Sequence, residues 1–179
     1  DYPKKVSASQ HDLLTVSDKA PDFVKEVTAS MMAGHGDELS VSKMPVDGTY
    51  PSGTTQWEKR NISDLVPIWE PEVCIQCGNC AYVCPHSVIR AKFYHKDYLK
   101  KAPVDFLSAP INARGFPETQ YSLQVYLEDC TGCNLCVEVC PASFPGNRSR
   151  KAINMADKEP ILEKEKRNIE FFENIPWNN

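Results

Sequence analysis

Every cysteine in the chain falls in one of two runs. The first is Cys74-Ile75-Gln76-Cys77-Gly78-Asn79-Cys80-Ala81-Tyr82-Val83-Cys84-Pro85. The second is Cys130-Thr131-Gly132-Cys133-Asn134-Leu135-Cys136-Val137-Glu138-Val139-Cys140-Pro141. Both read C-x2-C-x2-C-x3-C-P, the spacing with which thiolates hold cubane iron–sulfur clusters. Each cysteine of the first run has a counterpart 56 positions later, so the chain contains an internal repeat. Two residues between cysteines let a tight loop wrap a cluster and place three sulfurs on three irons. Main-chain N–H groups in that loop point at sulfur and stabilise the added electron. Gly78 and Gly132 suit the backbone angles this needs. In two-cluster arrangements the fourth cysteine ligates the cluster of the other run. The assignment is therefore Cys74, Cys77, Cys80 and Cys140 for cluster one, and Cys130, Cys133, Cys136 and Cys84 for cluster two. Pro85 and Pro141 fix the backbone past each crossing cysteine.

Zinc and disulfides are the competing uses of these thiols. Structural zinc takes two separated ligand pairs and needs no third cysteine two residues after each pair. Disulfides need an oxidising compartment, and four thiols this close in sequence could not all pair without strain. Two [4Fe–4S] clusters are the reading, with [3Fe–4S] disfavoured because no cysteine of either run is missing.

The elements around the runs repeat as well. Leu65-Val66-Pro67-Ile68-Trp69 is a short apolar run that Pro67 limits to an edge strand. Val88 to Phe93 alternates like a strand after the first loop. Tyr121 to Leu127 alternates before the second loop, and Ala152 to Met155 offers a return strand. The expected fold is α+β: a two-cluster, ferredoxin-like module in which strand, ligand loop, short helix and strand occur twice about a pseudo-two-fold axis. Ile75, Val83, Val88, Leu135, Val137 and Val139 are expected to shield the clusters. The repeat is stretched by an insertion over about 94–120, beginning Phe93-Tyr94-His95-Lys96-Asp97-Tyr98-Leu99-Lys100-Lys101. Its lysines and aromatics could contact nucleic acid, but a packed surface segment is the preferred reading in an acidic chain. His86 and His95 stand in no ligand spacing and are read as structural.

Three segments follow: 1–60, a flank with one helix and a long linker, read as the end of a neighbouring domain; 61–156, the two-cluster domain; and 157–179, a charged helix and linker onward. Residues 1–17 read as an irregular lead-in. Pro21 to Met32 reads as a helix with Phe23, Val24, Val27 and Met31 on one face, and Met31 and Met32 packed in a core or interface. His35 reads as a loop residue. Residues 36–60, with turn signals at Asp47-Gly48 and Pro51-Ser52-Gly53, lack the periodicity to fold alone and are expected to lie along another surface. In the tail, Asp157 is expected to cap the helix and Glu163 to pair with Arg167.

The 179 residues carry a net charge of −4, 41% hydrophobic residues and 14 prolines, which suits a loop-rich body organised partly by its metals. The acidic balance argues against a nucleic-acid binder. No stretch reaches membrane-spanning length and no signal peptide is visible. Low-potential clusters favour a reducing compartment, so the expected location is the cytoplasm. Beginning at Asp1, the sequence reads as a processed product or an excerpt of a longer chain. No phosphate loop, nucleophilic triad or carboxylate pair appears.

Beyond the cysteines, Pro21-Asp22-Phe23-Val24, Gly36-Asp37-Glu38-Leu39, Pro45-Val46-Asp47-Gly48, Gln56-Trp57-Glu58-Lys59-Arg60 and Val66-Pro67-Ile68-Trp69-Glu70-Pro71-Glu72-Val73 make the chain resemble pyruvate:ferredoxin (flavodoxin) oxidoreductases. The tail from Lys158 to Pro176 resembles that family's link onward. The resemblance implies that this is the electron-transfer segment of an enzyme that makes acetyl-CoA and CO2 from pyruvate and CoA and reduces ferredoxin or flavodoxin singly. It implies that thiamine diphosphate, Mg²⁺, coenzyme A and a third [4Fe–4S] cluster bind other domains of a homodimeric enzyme, and that this segment has no substrate site. The alternative reading is a free-standing dicluster carrier or the iron–sulfur subunit of another dehydrogenase.

Overall fold

The computed structural model describes residues 16–59 and 61–177. The expected lead-in over 1–17 lies outside the described residues except for its last two positions. The chain divides into two compact units, one ending at Lys59.

In the first unit a helix opens as a π-wound stretch, Val24–Thr28, and closes as α1, Ala29–Met32. Val24, Val27 and Thr28 are buried. Residues 36–59, expected to lie along another surface, return to this helix through three single turns, Gly36–Glu38, Val41–Lys43 and Thr54–Trp57. Tyr50 anchors them: its hydroxyl lies 2.8 Å from Thr28 Oγ1, and its ring meets Phe23 edge-on at 5.2 Å. Of the two readings of Met31 and Met32, core packing is corrected: they are 50% and 37% exposed. The wider π winding rotates the later residues off the stripe begun by Val24 and Val27. His35 sits in a loop beside Glu38, 3.0 Å away.

The second unit contains β1 (Leu65–Trp69), α2 (Asn79–Val83), β2 (Ile89–His95), β3 (Ala109–Pro110), β4 (Thr119–Val125), α3 (Leu135–Glu138), β5 (Ser143–Phe144), β6 (Asn147–Lys151), β7 (Ile153–Asp157) and α4 (Leu162–Asn174). β1 pairs antiparallel with β7, Trp69 opposite Ile153. β2 pairs antiparallel with β4, Ile89 opposite Val125, and β3 lies on the other edge of β4. With a single partner strand, β1 can accommodate Pro67. The hairpin β5–β6, bent at Gly146 (φ 77°), had no counterpart in the sequence reading.

Two apolar cores result. The first joins Val66, Trp69, Val88, Ile89, Leu123, Val125, Leu127 and Ile153 to Cys130 and Cys136, so the ligand residues are themselves core. The second joins Tyr94 and Phe106 of the insertion to Phe172 and Ile175 of the tail. Burying each of these large side chains contributes about 1.5–3 kcal/mol. The insertion thus packs: Tyr94 is fully buried, and its hydroxyl lies 2.6 Å from Ser122 Oγ. Lys92 serves this core too, donating to the carbonyls of Phe172 (2.8 Å) and Ile175 (2.5 Å) where α4 ends. A cation there satisfies orphan carbonyls and the negative end of the helix dipole. Two expectations for the tail need correction. α4 starts after Ile161 with no side-chain cap, since Asp157 ends β7 and a turn, Glu159–Ile161, intervenes. Glu163 pairs with Lys166, 3.2 Å away, which sits one turn on and also reaches Glu128.

Candidate metal centre

Each cysteine loop follows a strand and a turn and enters a short helix. β1 delivers the first loop to α2, with Cys84 at its C-terminal boundary. β4 leads to the second loop and α3, with Cys140 one residue past the helix boundary. α2 and α3 pack together, which brings the fourth cysteine of each run to the other loop. Cys74, Cys77, Cys80 and Cys140 line one cavity of about 360 Å³. Cys84, Cys130, Cys133 and Cys136 line a second of about 340 Å³. Part of both volumes is open to solvent.

The backbone repeats in detail. Gln76 (φ 58°) and Gly78 (φ 77°) are left-handed in the first run, and Gly132 (φ 67°) and Asn134 (φ 66°) in the second. Each position matches its counterpart 56 residues away, although glycine occupies only one of each pair. The left-handed step turns the Gln76 N–H toward Cys74 Sγ and the Gly132 N–H toward Cys130 Sγ, 3.4 Å in both cases. Gly132 is required for a second reason: a side chain there would overlap Ser63 and crowd the Leu65 carbonyl. Gln76 has room, and its amide donates to the Pro110 carbonyl (2.8 Å) and accepts from the Asn112 N–H (2.7 Å). The insertion is thereby clasped to the first loop.

Burial pushes the Cys80 thiol up to about 12 and the Cys136 thiol up to about 11, and neighbouring cysteines add to both shifts. Cys130 is raised by burial and opposed by the Gly132 N–H, with Lys158 a weaker counterweight. Burial and the facing Cys74, Cys80 and Cys77 also raise Tyr121, so its hydroxyl keeps its proton. Without a metal these thiols are costly to ionise; a bound cation reverses that balance.

The donor set fits a polynuclear cluster. Four soft sulfur donors surround each cavity and a main-chain N–H reaches sulfur in each loop. Among the described residues, no three His, Cys, Asp or Glu groups stand as ligands of a single ion; ligands of a cubane face a body several atoms across and need not converge on a point. Cys77 and Cys133 are the exposed pair, while Cys130 and Cys136 are buried.

The expected apolar shield is thinner than predicted. Val88 is buried, but Ile75, Leu135 and Val139 are 52%, 41% and 36% exposed. Ile75 and Leu135 line the cavities from the solvent side. His86 lines the second cavity. His95 lies outside both, beside Asp97 and Glu118. Sequence reasoning missed Gln76 and Asn134 as left-handed positions; the offset of the repeat was the available signal. It also missed Trp69, whose indole lines the first cavity against Tyr121, ring centroids 5.9 Å apart.

Residues 73–144 match a family model described as a 4Fe-4S dicluster domain, and residues 10–63 match a domain of unknown function. The chain is 54% identical over 90% of its length to a probable pyruvate-flavodoxin oxidoreductase of Escherichia coli (strain K12), covering 14% of that protein. It is 48% identical over 90% of its length to a putative pyruvate-flavodoxin oxidoreductase of Synechocystis sp. (strain ATCC 27184 / PCC 6803 / Kazusa), covering 13% of it. It is 35% identical over 98% of its length to the pyruvate:ferredoxin oxidoreductase of Moorella thermoacetica (strain ATCC 39073 / JCM 9320), covering 14% of it. The chain is therefore similar throughout to one stretch of much longer oxidoreductases, and its cysteine-bearing part matches the 4Fe-4S dicluster model.

Proposed function

We propose that this chain is the electron-transfer segment of a pyruvate:flavodoxin or pyruvate:ferredoxin oxidoreductase, and that it relays single electrons between two [4Fe–4S] clusters. The observation that carries the proposal is the crossed lining of the two cavities, three cysteines from one run and the fourth from the other, in a chain similar to those enzymes. Cys74, Cys77, Cys80 and Cys140 hold the first cluster, and Cys130, Cys133, Cys136 and Cys84 the second. The matched backbone steps and the pairing of β1 with β7 and β2 with β4 support a pseudo-two-fold relation between the runs. When bound, the clusters supply reversible one-electron chemistry. The protein supplies thiolates, N–H groups on sulfur, and two packed helices, α2 and α3, that carry ligands of both cavities. No side chain here acts as acid, base or nucleophile.

In the whole enzyme, thiamine diphosphate, Mg²⁺, coenzyme A and a third [4Fe–4S] cluster belong to other domains. There pyruvate and CoA yield acetyl-CoA, CO2, a proton and two electrons, which leave one at a time for ferredoxin or flavodoxin. A segment 1–60 ending a neighbouring domain, a two-cluster domain at 61–156, a linking tail at 157–179, a homodimer and a cytoplasmic location complete the reading. No helix among the described residues is long and apolar enough to cross a membrane.

Anaerobically purified protein tests the ligand set. Iron and acid-labile sulfide should reach two cubanes for this segment, with a spin-coupled EPR signal after dithionite reduction. Cys140→Ala should deplete the cluster of the first run although Cys140 belongs to the second. Zinc in place of iron, or loss confined to the second cluster, would defeat the assignment. A native polypeptide near 20 kDa would favour a separate carrier or subunit.

A further inference from the structure

Three buried side-chain polar atoms among the described residues have no hydrogen-bond partner: Trp69 Nε1, Gln124 Oε1 and Asn168 Oδ1. Two are acceptors on residues that line neither cavity. The third is a donor, on a residue that lines the cavity of Cys74, Cys77, Cys80 and Cys140. An indole N–H has no acceptor function to fall back on, and leaving it unpaired in a core is costly. Nor can Trp69 swing out to water. It closes β1, is paired with Ile153 on β7, packs edge-on against Tyr121, and is only 6% exposed.

We propose that the Trp69 indole N–H donates a hydrogen bond to a sulfur of the cluster held by Cys74, Cys77, Cys80 and Cys140, and so raises that cluster's reduction potential. The inference rests on the cluster reading above. Its direction follows from charge: reduction adds an electron that is spread over the sulfurs, a donor aimed at sulfur is worth more to the reduced form, and charge-assisted hydrogen bonds are the stronger ones. The repeat makes the effect one-sided. The position 56 residues after Trp69 is Val125, which has no donor and does not line the second cavity. Two loops with the same backbone and the same main-chain N–H contacts therefore differ at this position, where Trp69 gives the first site a donor that Val125 cannot give the second.

The test uses the cluster-loaded full-length protein. Trp69 is replaced by Phe and, separately, by benzothienylalanine, which keeps the indole shape with sulfur in place of the N–H. Redox titration followed by EPR should show one cluster of the dicluster pair shifted to lower potential in both variants. The expected size is about a tenfold fall in its reduced-to-oxidised ratio at fixed potential, or 59 mV for a one-electron couple. Iron content should be unchanged in the isosteric variant. Pulsed EPR of reduced wild type labelled with ¹⁵N in the indole should show a nitrogen coupling to that cluster. Unchanged potentials in the isosteric variant with iron retained, or absence of the ¹⁵N coupling, overturn the inference while leaving the cluster reading intact. A shift in the Phe variant alone also overturns it, because packing would then be the cause. Wild type without iron would sink the cluster reading itself.

Discussion

Alanine at Gly132 and alanine at Gly78 should have unequal consequences. Both glycines are left-handed, with φ 67° and 77°, and placing a Cβ in that region costs about 1–2 kcal/mol. At Gly78 that is the whole cost, because nothing lies within 4 Å of the added carbon. At Gly132 the carbon overlaps Ser63 Oγ and stands 3.2 Å from Ser63 Cβ and 3.1 Å from the Leu65 carbonyl oxygen. Ser63 cannot turn away freely, since its hydroxyl donates to that same carbonyl at 2.6 Å. Leu65 is fixed in turn by pairing with Asp157 on β7. Overpacking of this kind adds about 1–3 kcal/mol, so Gly132→Ala should cost roughly 2–5 kcal/mol against 1–2 for Gly78→Ala. The excess falls on the loop that holds Cys130, Cys133 and Cys136. Measured as iron release to a chelator under anaerobic conditions, the second cluster of Gly132→Ala should be lost about 10–100-fold faster than either cluster of Gly78→Ala, at tenfold per 1.4 kcal/mol. Adding Ser63→Gly should recover part of the difference, because it removes the overlap and leaves the backbone strain. Equal release rates for the two alanine variants, or no recovery with Ser63→Gly, would refute the steric argument.

Other outcomes follow from the same geometry. Lys92→Met should destabilise the cluster-loaded protein by about 2–4 kcal/mol, because the carbonyls of Phe172 and Ile175 lose a charge-assisted donor in a buried site; melting should fall by about 5–15 °C with an unchanged EPR spectrum, and a melting point within 2 °C of wild type would contradict the capping role. Gln76→Ala removes the clasp on Pro110 and Asn112, so amide exchange at Ile111 and Asn112 should quicken and iron loss should accelerate, beginning at the cluster of Cys74, Cys77, Cys80 and Cys140. Cys80 and Cys136, raised to about 12 and about 11 by burial, stay protonated below pH 9, and their protons must leave when iron binds. Iron affinity should therefore climb as pH rises from 7 to 9, by up to about tenfold per unit for each thiol displaced; a flat profile would show that the thiols are already ionised.

What could be read in the sequence was whatever has a short period or a fixed spacing. β1 appears over the residues expected, and β2, β4 and β7 lie within one to two residues of the alternating runs that announced them. The cysteine spacing named all eight residues that line the cavities as sulfur donors. Features set by distant partners were not legible. Alternation along β2 puts Arg90 and Lys92 on the polar side together, yet Lys92 is buried because α4 arrives from 80 residues away to end on it. The hairpin β5–β6 reads Asn147-Arg148-Ser149-Arg150-Lys151 on its second strand, with no apolar alternation to reveal it; it is held by Arg150 on Glu70 and over the Phe144 ring. Gln76 and Asn134 escaped notice for a different reason. Gln76 does not advertise positive φ and Asn134 does so less strongly than glycine, but superposing the runs shows that each adopts what its glycine partner adopts.

The crossing of the fourth cysteines ties the two sites together energetically. Each cavity is closed by a residue that follows the other run's helix, and α2 and α3 pack on one another between them. Cys130 and Cys136 are part of the apolar core, and Cys74, Cys80, Cys84 and Cys140 pack against it. Loss of one cluster therefore leaves raised-pKa thiols unligated inside the core that positions the other. A binding energy shared in this way is folding energy, and it favours a chain with both clusters or neither over one that is half loaded. The same coupling keeps the relay geometry constant while side chains at the rim differ. Trp69 against Val125 and His86 against Ala142 distinguish two sites whose backbones match. A duplicated loop gives two equivalent binding frames, and these unmatched neighbours are where a difference in potential, and hence a direction for the electron, can be built.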